Sequence, residues 1–310
     1  MRIGIPRAFL YHIYAPLWET FFNELGFKII LSEETNKKIL SEGLKQAIDE
    51  NCLSFKIYLG HIYSLKGKCD YIFIPRIGSL GDKELVCSKF QATYDVVSHI
   101  FRDDNMKFLQ LNIDVNKKET EFKAFMKLGK ELKKHKIEIL RAYFMAKYAE
   151  KIYYKNEIKK REEMLNKKDQ LKILIVAHPY IIYDKLVGEP ILEYLKQLNC
   201  LPIVGDIAPK QLSKEKAKVM SPTLHWTFSK ELVGALALYK KRVEGIILIT
   251  AFPCGPDSLV NEMIVRKIQD KPILKLILDE QEGRAGIETR LESFIDIIKI
   301  KKDKEYEKDS

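Results

Sequence analysis

The 310-residue sequence has no apolar run near the ~18–20 residues of a membrane-spanning helix, so no such span is expected. With 15 Gly and 11 Pro it has too little of either for a collagen-like or disordered chain. The opening, MRIGIPRAFLYHIY, carries no long apolar core and no small-residue cleavage site. A secretory signal is therefore not read there, and a cytoplasmic chain is expected. No GxxxxGKS/T loop and no GxGxxG after a strand is found, so ATP or NAD bound in those ways is not expected. A GxSxG elbow and an HExxH pair are also missing. Cysteine is scarce: five residues, odd in number, irregularly spaced and without a CxxC pair. That pattern does not build a disulfide framework and leaves reduced thiols available for metals.

What is present is charge, unevenly placed. Of the net +10, the stretch 116–168 holds 17 Lys/Arg against 8 Asp/Glu, or +9. It contains no Pro and one Gly, Gly129, and its apolar residues recur at helical spacing through Phe125, Leu128, Leu132, Leu140, Phe144, Tyr148 and Ile152. It reads as one or two long amphipathic helices with a basic face, either simply solvated or docking an acidic partner. No zinc finger, RNP1 or other nucleic-acid module accompanies the charge, so no nucleic-acid partner is expected.

On either side of this stretch strands alternate with helices. Arg2–Pro6, Phe27–Leu31, Asp70–Pro75 and Lys107–Ile113 read as strands, with helices between them. Leu171–Ala177, Leu201–Gly205, Glu244–Thr250 and Pro272–Leu278 repeat the theme. The alternation predicts two doubly wound parallel-sheet α/β domains, 1–115 and 171–300, joined by a basic helical connector, 116–170, with a charged tail, 301–310, expected to fray.

In such sheets ligands bind beyond the carboxyl ends of strands. The post-strand loops are RIGSLGDKELVC, ending at Cys87; HPYIIYD, with His178, Tyr180, Tyr183 and Asp184; AFPCGPDS, with Cys254; and DEQEGRAG, with Glu280 and Glu282. Cys254 precedes a helix, where the dipole and free N–H groups favour a thiolate. Position alone leaves Cys52, Cys87 and Cys254 open between inert small hydrophobes and working thiols. Cys69 and Cys200 read as buried bystanders. His178 reads equally as a structural imidazole, and Glu280, Glu282, Arg290 and Glu292 equally as helix-start electrostatics.

Taken together, the loops resemble a known family. Cys52–Lys56 (CLSFK) with Gly60-His61, Tyr71–Arg76 (YIFIPR) with Val86–Phe90 (VCSKF), and His178-Pro179-Tyr180 are similar to its segments. So are Leu224–Ala235 (LHWTFSKELVGA), Phe252–Asp257 (FPCGPD) and Asp279–Phe294 (DEQEGRAGIETRLESF). The family is that of the acyl-CoA dehydratase activase-related proteins, relatives of the 2-hydroxyacyl-CoA dehydratase and benzoyl-CoA reductase subunits. The match is ordered along the chain from about residue 1 to 300. It departs from the family at Leu53-Ser54, Gln91–Tyr94 and Gln281-Glu282.

The resemblance implies two Rossmann-like domains with a [4Fe–4S] cluster between them, its matching ligands being Cys52, Cys87 and Cys254. Three thiolates leave one iron without a Cys ligand, able to act as a Lewis acid. A larger double-cubane cluster is the alternative, and it needs more sulfur ligands than three. The resemblance further implies an ATP-hydrolysing iron–sulfur activase as electron donor, and a second copy or related second subunit as mate. A small-molecule substrate, an acyl thioester, would be reduced or dehydrated. Lys56 and His61 are then candidates to bind cluster sulfide or substrate, and His178, Tyr180, Asp184, Glu280 and Arg290 are the catalytic candidates. The other reading is a non-catalytic electron-transfer or accessory subunit that docks an activase through the basic helices.

Overall fold

A computed structural model of the chain describes residues 1–309 apart from Lys83, Asp169 and Glu282, with side chains described through Asp303. The chain forms two compact units: unit 1 comprises Met1–Asn156 with His225–Phe228, and unit 2 comprises Glu157–Leu224 with Ser229 onward.

Unit 1 runs β1 (Arg2–Ile5), α1 (Tyr11–Glu24), β2 (Lys28–Leu31), α2 (Lys37–Gln46), α3 (Leu53–Ser64), β3 (Tyr71–Ser79), α4 (Ser88–Gln91), α5 (Thr93–Ile100), β4 (Phe108–Asp114), α6 (Glu121–Glu131) and the first part of α7 (Lys136–Leu165). Its four strands are all parallel in the order β2-β1-β3-β4. Helix α1 forms because Leu17, Trp18, Phe21 and Phe22 fall on one buried face. Phe22 meets Phe73 of β3 edge-on at 5.1 Å.

Strand β3 outruns its sequence reading, which stops at Pro75. The backbone N–H of Ile72 donates to the Lys107 carbonyl. Even-numbered residues therefore turn their N–H toward β4, and Pro75 turns its donorless nitrogen toward β1. Pairing with β1 ends at Ile72, so no ladder bond is lost and the strand continues to Ser79.

Unit 2 follows as β5 (Leu171–Val176), α8 (Pro179–Ile182), α9 (Glu189–Gln197), β6 (Cys200–Val204), α10 (Lys210–Met220), α11 (Thr227–Tyr239), β7 (Gly245–Ala251), α12 (Gly255–Lys267), β8 (Ile273–Leu278) and α13 (Arg284–Asp309). Its strands are also all parallel, in the order β6-β5-β7-β8. Strand β7 is buried along its whole length, as expected of a strand covered by helices on both faces. Helix α10 is absent from the sequence reading, since KQLSKEKAKVM is mostly polar and buries only Ser213 and Ala217.

The two strand orders have the same pattern, and so do the helix pairs before the third strand. In α3, Gly60 lies so close to α2 that a Cβ would collide with the Ile39 carbonyl oxygen. In α11, Gly234 stands in the same relation to the Ser213 carbonyl of α10. Counting back, Lys56 and Cys52 precede Gly60 at the offsets at which Lys230 and Trp226 precede Gly234. The two helix pairs thus repeat one design, with Trp226 before α11 at the offset at which Cys52 precedes α3.

Helix α7 passes from one unit into the other. Its first half buries Ile139, Ala142, Tyr143 and Ala146, and its last turns bury Arg161 and Leu165. The buried face changes along its length, and Phe144, Tyr148 and Ile152, which share the helical spacing read from the sequence, are exposed. Glu157 and Arg161, read from the sequence as part of a solvated face, belong to unit 2, with Arg161 buried and Glu157 half-buried beside it.

Candidate functional site

In a parallel sheet whose strand order reverses, a crevice opens beyond the carboxyl ends of the strands at the reversal. In unit 1 that place lies between β1 and β3, and in unit 2 between β5 and β7. The candidate residues are placed here unit by unit.

Cys52 is the residue before α3, and Cys87 the residue before α4, which follows β3. Both have extended backbones, with φ/ψ of −65/151 and −55/142. Their segments are tied together: Lys89 Nζ donates to Asn51 Oδ1 and lies 5.2 Å over the Phe55 ring. A cation therefore stands between the two cysteine segments. Phe9 walls the place, with ring centroids 5.8 Å from Phe55 and 4.4 Å from Phe90. The start of α11 joins them, because Leu85 and Trp226 form a parallel bridge and Phe228 meets Phe90 at 5.4 Å.

His61 is fully buried, with Nδ1 2.8 Å from Ser32 Oγ and Nε2 2.9 Å from Thr35 Oγ1. Burial, then repulsion from His12 when it is protonated and from Arg7, pushes its pKa down to about 3. It is a neutral imidazole whose two nitrogens are engaged by the chain after β2. Lys56 is buried on the same helix.

In unit 2, Cys254 precedes α12 with an extended backbone. Its carbonyl accepts Ser258 Oγ at 2.7 Å, which fixes the first turn. Asp257, in that turn, reaches the loop after β5: its Oδ1 stands 2.9 Å from His178 Nε2. Both side chains are nearly buried, with His178 4% and Asp257 7% exposed. Tyr180 stacks on the His178 ring at 4.9 Å with planes 12° apart. Asp257 was not among the sequence candidates. Its one signal was an acid in the first turn of a helix that follows a strand.

Asp184 serves the backbone: its Oδ1 accepts the N–H groups of Leu186 at 2.9 Å and Val187 at 3.0 Å, and so shapes the entry to α9. Arg290 caps the sheet edge. Carbonyls of Pro272 and Leu278 face β7, so that of Lys275 faces outward. Arg290 NH2 donates to it at 2.5 Å, covering an otherwise open strand edge. Glu280 follows β8 and is partly buried. Glu282 lies outside the described residues.

A buried network that the sequence reading missed holds the loops of unit 2. Arg161 Nε donates to the Val204 carbonyl at 3.0 Å, and its NH2 to Tyr183 Oη at 2.6 Å and Asp206 Oδ1 at 3.1 Å. One guanidinium thus joins the loops after β5 and β6. Burial pushes the Asp206 carboxyl up, and Arg161 and Tyr183 pull it back.

The other two cysteines are held toward the thiol form by burial. Burial pushes the Cys200 thiol up to about 11 and raises that of Cys69 as well. Among the described residues, no group of three or more His, Cys, Asp or Glu side chains is arranged to hold a metal ion. Cys52 and Cys87, thiols at helix starts beside a lysine, are the donor type an iron–sulfur cluster takes. Cys254 likewise is the residue before a helix in unit 2. No helix among the described residues is long and apolar enough to cross a membrane.

A family model described as the CoA enzyme activase uncharacterised domain matches residues 2–208, two thirds of the chain. It spans Cys52, Cys87 and His178 and stops short of Cys254 and Asp257. No curated protein matches. Among solved structures, the SBP FpvC of P. aeruginosa with bound Ni2+ aligns at 12% identity over 96% of both chains, with a TM-score of 0.30. ZnuA aligns at 10% identity over 96% of this chain and 98% of its own, with a TM-score of 0.28. A Zn(II)-bound AdcAII variant of Streptococcus pneumoniae aligns at 13% identity over 96% and 98%, with a TM-score of 0.29. Likeness at that level carries no inference about this chain.

Proposed function

The chain belongs to the family of the CoA enzyme activase uncharacterised domain, and from that membership we propose an iron–sulfur protein of the 2-hydroxyacyl-CoA dehydratase type. It takes low-potential electrons from an ATP-hydrolysing activase and passes them to a small substrate, an acyl thioester. Cys52, Cys87 and Cys254 would hold a [4Fe–4S] cluster. When bound, such a cluster supplies electron transfer and, at an iron without a cysteine ligand, Lewis acidity. The observation that carries this reading is the joining of the Cys52 and Cys87 segments through Lys89 and Asn51, at the starts of two helices. What these residues do themselves is hold thiolates: helix N–H groups and a neighbouring ammonium stabilise the anionic sulfur.

Iron and acid-labile sulfide analysis of anaerobically purified protein tests it. Cluster absorbance is expected in the unaltered chain and in Cys69→Ala and Cys200→Ala. It is expected to vanish in Cys52→Ala, Cys87→Ala and Cys254→Ala. Full iron retention by all three of these variants overturns the reading.

One observation favours the accessory-subunit alternative. Helix α7 exposes Ile137 (80%), Phe144, Tyr148 and Ile152 on one side, among Arg141, Lys151 and Lys155. An apolar stripe edged with positive charge fits an acidic partner surface. Co-purification with an ATP-hydrolysing activase is then expected at low salt and lost toward ~1 M, where the Debye length falls to about 3 Å. Acyl-CoA turnover by the isolated chain with a strong reductant would decide for the enzyme instead.

A further inference from the structure

Helix α7 carries two faces within unit 1. One is buried, through Ile139, Ala142, Tyr143 and Ala146. The other follows an unbroken 4-3 spacing through Ile137, Arg141, Phe144, Tyr148, Lys151 and Lys155. At about 100° per residue these six fall within about 80° of one another, opposite the buried face, in a line about 27 Å long. All six are exposed, Phe144 and Tyr148 each at 62%. Met145 and Ile152, also exposed, widen the apolar part along one flank. A large apolar side chain standing alone is ordinary surface, but a row of them at 4-3 spacing is the seam along which one helix packs on another.

Charge decides which occupant fits. Arg141 pairs with Glu24 at 3.6 Å, while Lys151 and Lys155 have no ion-pair partner among the described residues. All three cations stand inside the seam, in line with its apolar residues. A second copy packed antiparallel, with Phe144 on Tyr148, would set Arg141 against Lys151 twice. Packed in parallel, it would set each cation against itself. Both arrangements repel at core positions. A helix that lies in a membrane surface keeps its cations on the polar side of its apolar face. Here, embedding Phe144 and Tyr148 would carry Arg141 and Lys151 in with them. A facing helix with carboxylates opposite the cations and apolar side chains opposite the rest satisfies all six positions.

We propose that the outer face of α7 is a docking seam for an acidic amphipathic helix of another protein. That helix sets apolar side chains against Ile137, Phe144 and Tyr148, and carboxylates against Arg141, Lys151 and Lys155. The seam deepens the accessory-subunit reading and rests on it for the use of this face, but its partner need not be an activase.

The probes are two synthetic peptides of about three heptads. Both have leucine at the positions facing Ile137, Phe144 and Tyr148 and glutamate at those facing the three cations, one pattern for each chain direction. Fluorescence anisotropy with the full chain is expected to show one of the two binding at low salt. Phe144→Ser is expected to weaken that binding about tenfold, through loss of an aromatic anchor. Lys151→Glu is expected to weaken it about tenfold as well, and a peptide with lysine at the facing position is expected to recover the loss. Lys196→Glu, at an exposed lysine of α9, is expected to change nothing. Each substitution falls on an exposed side chain, so the fold is expected to survive, which circular dichroism checks.

Binding of neither peptide, no recovery in the charge-swapped pair, or an equal loss in Lys196→Glu overturns the proposal. So does a dimer in sedimentation that Phe144→Ser dissociates, because the occupant is then a second copy. Capture by phosphatidylserine vesicles that Phe144→Ser abolishes overturns it too, because the occupant is then a lipid surface. No activase enters the measurement. Peptide binding without activase co-purification keeps the seam and removes the activase, whereas co-purification without peptide binding overturns the seam and places the activase elsewhere on the chain.

Discussion

Arg161→Met is expected to destabilise unit 2 by about 3–5 kcal/mol, the usual penalty for removing one partner of a buried ion pair. Arg161 is 7% exposed and donates to Asp206, Tyr183 and the Val204 carbonyl. Without it, Asp206 stays buried with a charge that burial already disfavours. Two further results separate this cause from lost packing. The penalty is expected to shrink as pH falls and Asp206 takes up a proton. The double variant Arg161→Met with Asp206→Asn is expected to recover most of the loss, because the buried Asp206 charge is gone and Glu157, the other carboxylate on Arg161, keeps Lys160 at 2.6 Å. Chemical denaturation measures all three. A single variant within about 1 kcal/mol of the unaltered chain would mean that the network holds nothing. Tyr183 belongs to the loop that carries His178 and Asp184, so the same variant is expected to broaden the His178 ring signals.

Arg161 also shows where sequence reading reached its limit. It stands among 17 Lys/Arg in the stretch 116–168, and composition alone assigns all of them to a solvated face. What singles it out is Asp206, 45 residues away, brought near by β6. The strands themselves were legible because parallel strands covered on both faces are short continuous apolar runs, LKILIV and GIILITA among them. Pro75 misled at β3, since the harmlessness of a missing donor depends on where a neighbouring strand ends. The loops after strands were legible as loops, and His178 and Cys254 fall in them. The partner of His178 was not, because it lies 79 residues on and only the β5–β7 pairing joins the two. The repeat of the two units was hidden for a related reason. Only Lys and Gly at matching offsets survive in α3 and α11, and the packing of each Gly against a neighbouring carbonyl gives that spacing meaning.

The second large effect is a loss of stability in acid, carried by His61. Its folded pKa stands at about 3 against an ordinary 6.5, with burial as the main cause. Neighbouring His12 is likewise pushed down to about 4, by burial and then by Arg7. In the folded chain His61 stays neutral between Ser32 and Thr35, while in the unfolded chain it gains a proton below pH 6.5. Between 6.5 and about 3 the unfolded state therefore binds more protons, and stability falls as pH falls. The contribution is complete above 6.5 and is lost at up to about 1.4 kcal/mol per pH unit, on the order of 5 kcal/mol over the whole window. His61→Asn removes the titrating group and keeps a polar side chain facing the two hydroxyls. Its stability at neutral pH is expected to be lower, since two buried hydrogen bonds are remade imperfectly. Its slope against pH between about 6.5 and 4 is expected to be shallower than that of the unaltered chain by about 1.4 kcal/mol per unit. Carboxylates that titrate in the same range contribute equally to both chains and cancel in the difference. Denaturation midpoints measured at half-unit steps of pH give that difference directly, and parallel curves for the two chains would remove His61 as the acid-sensitive group of unit 1.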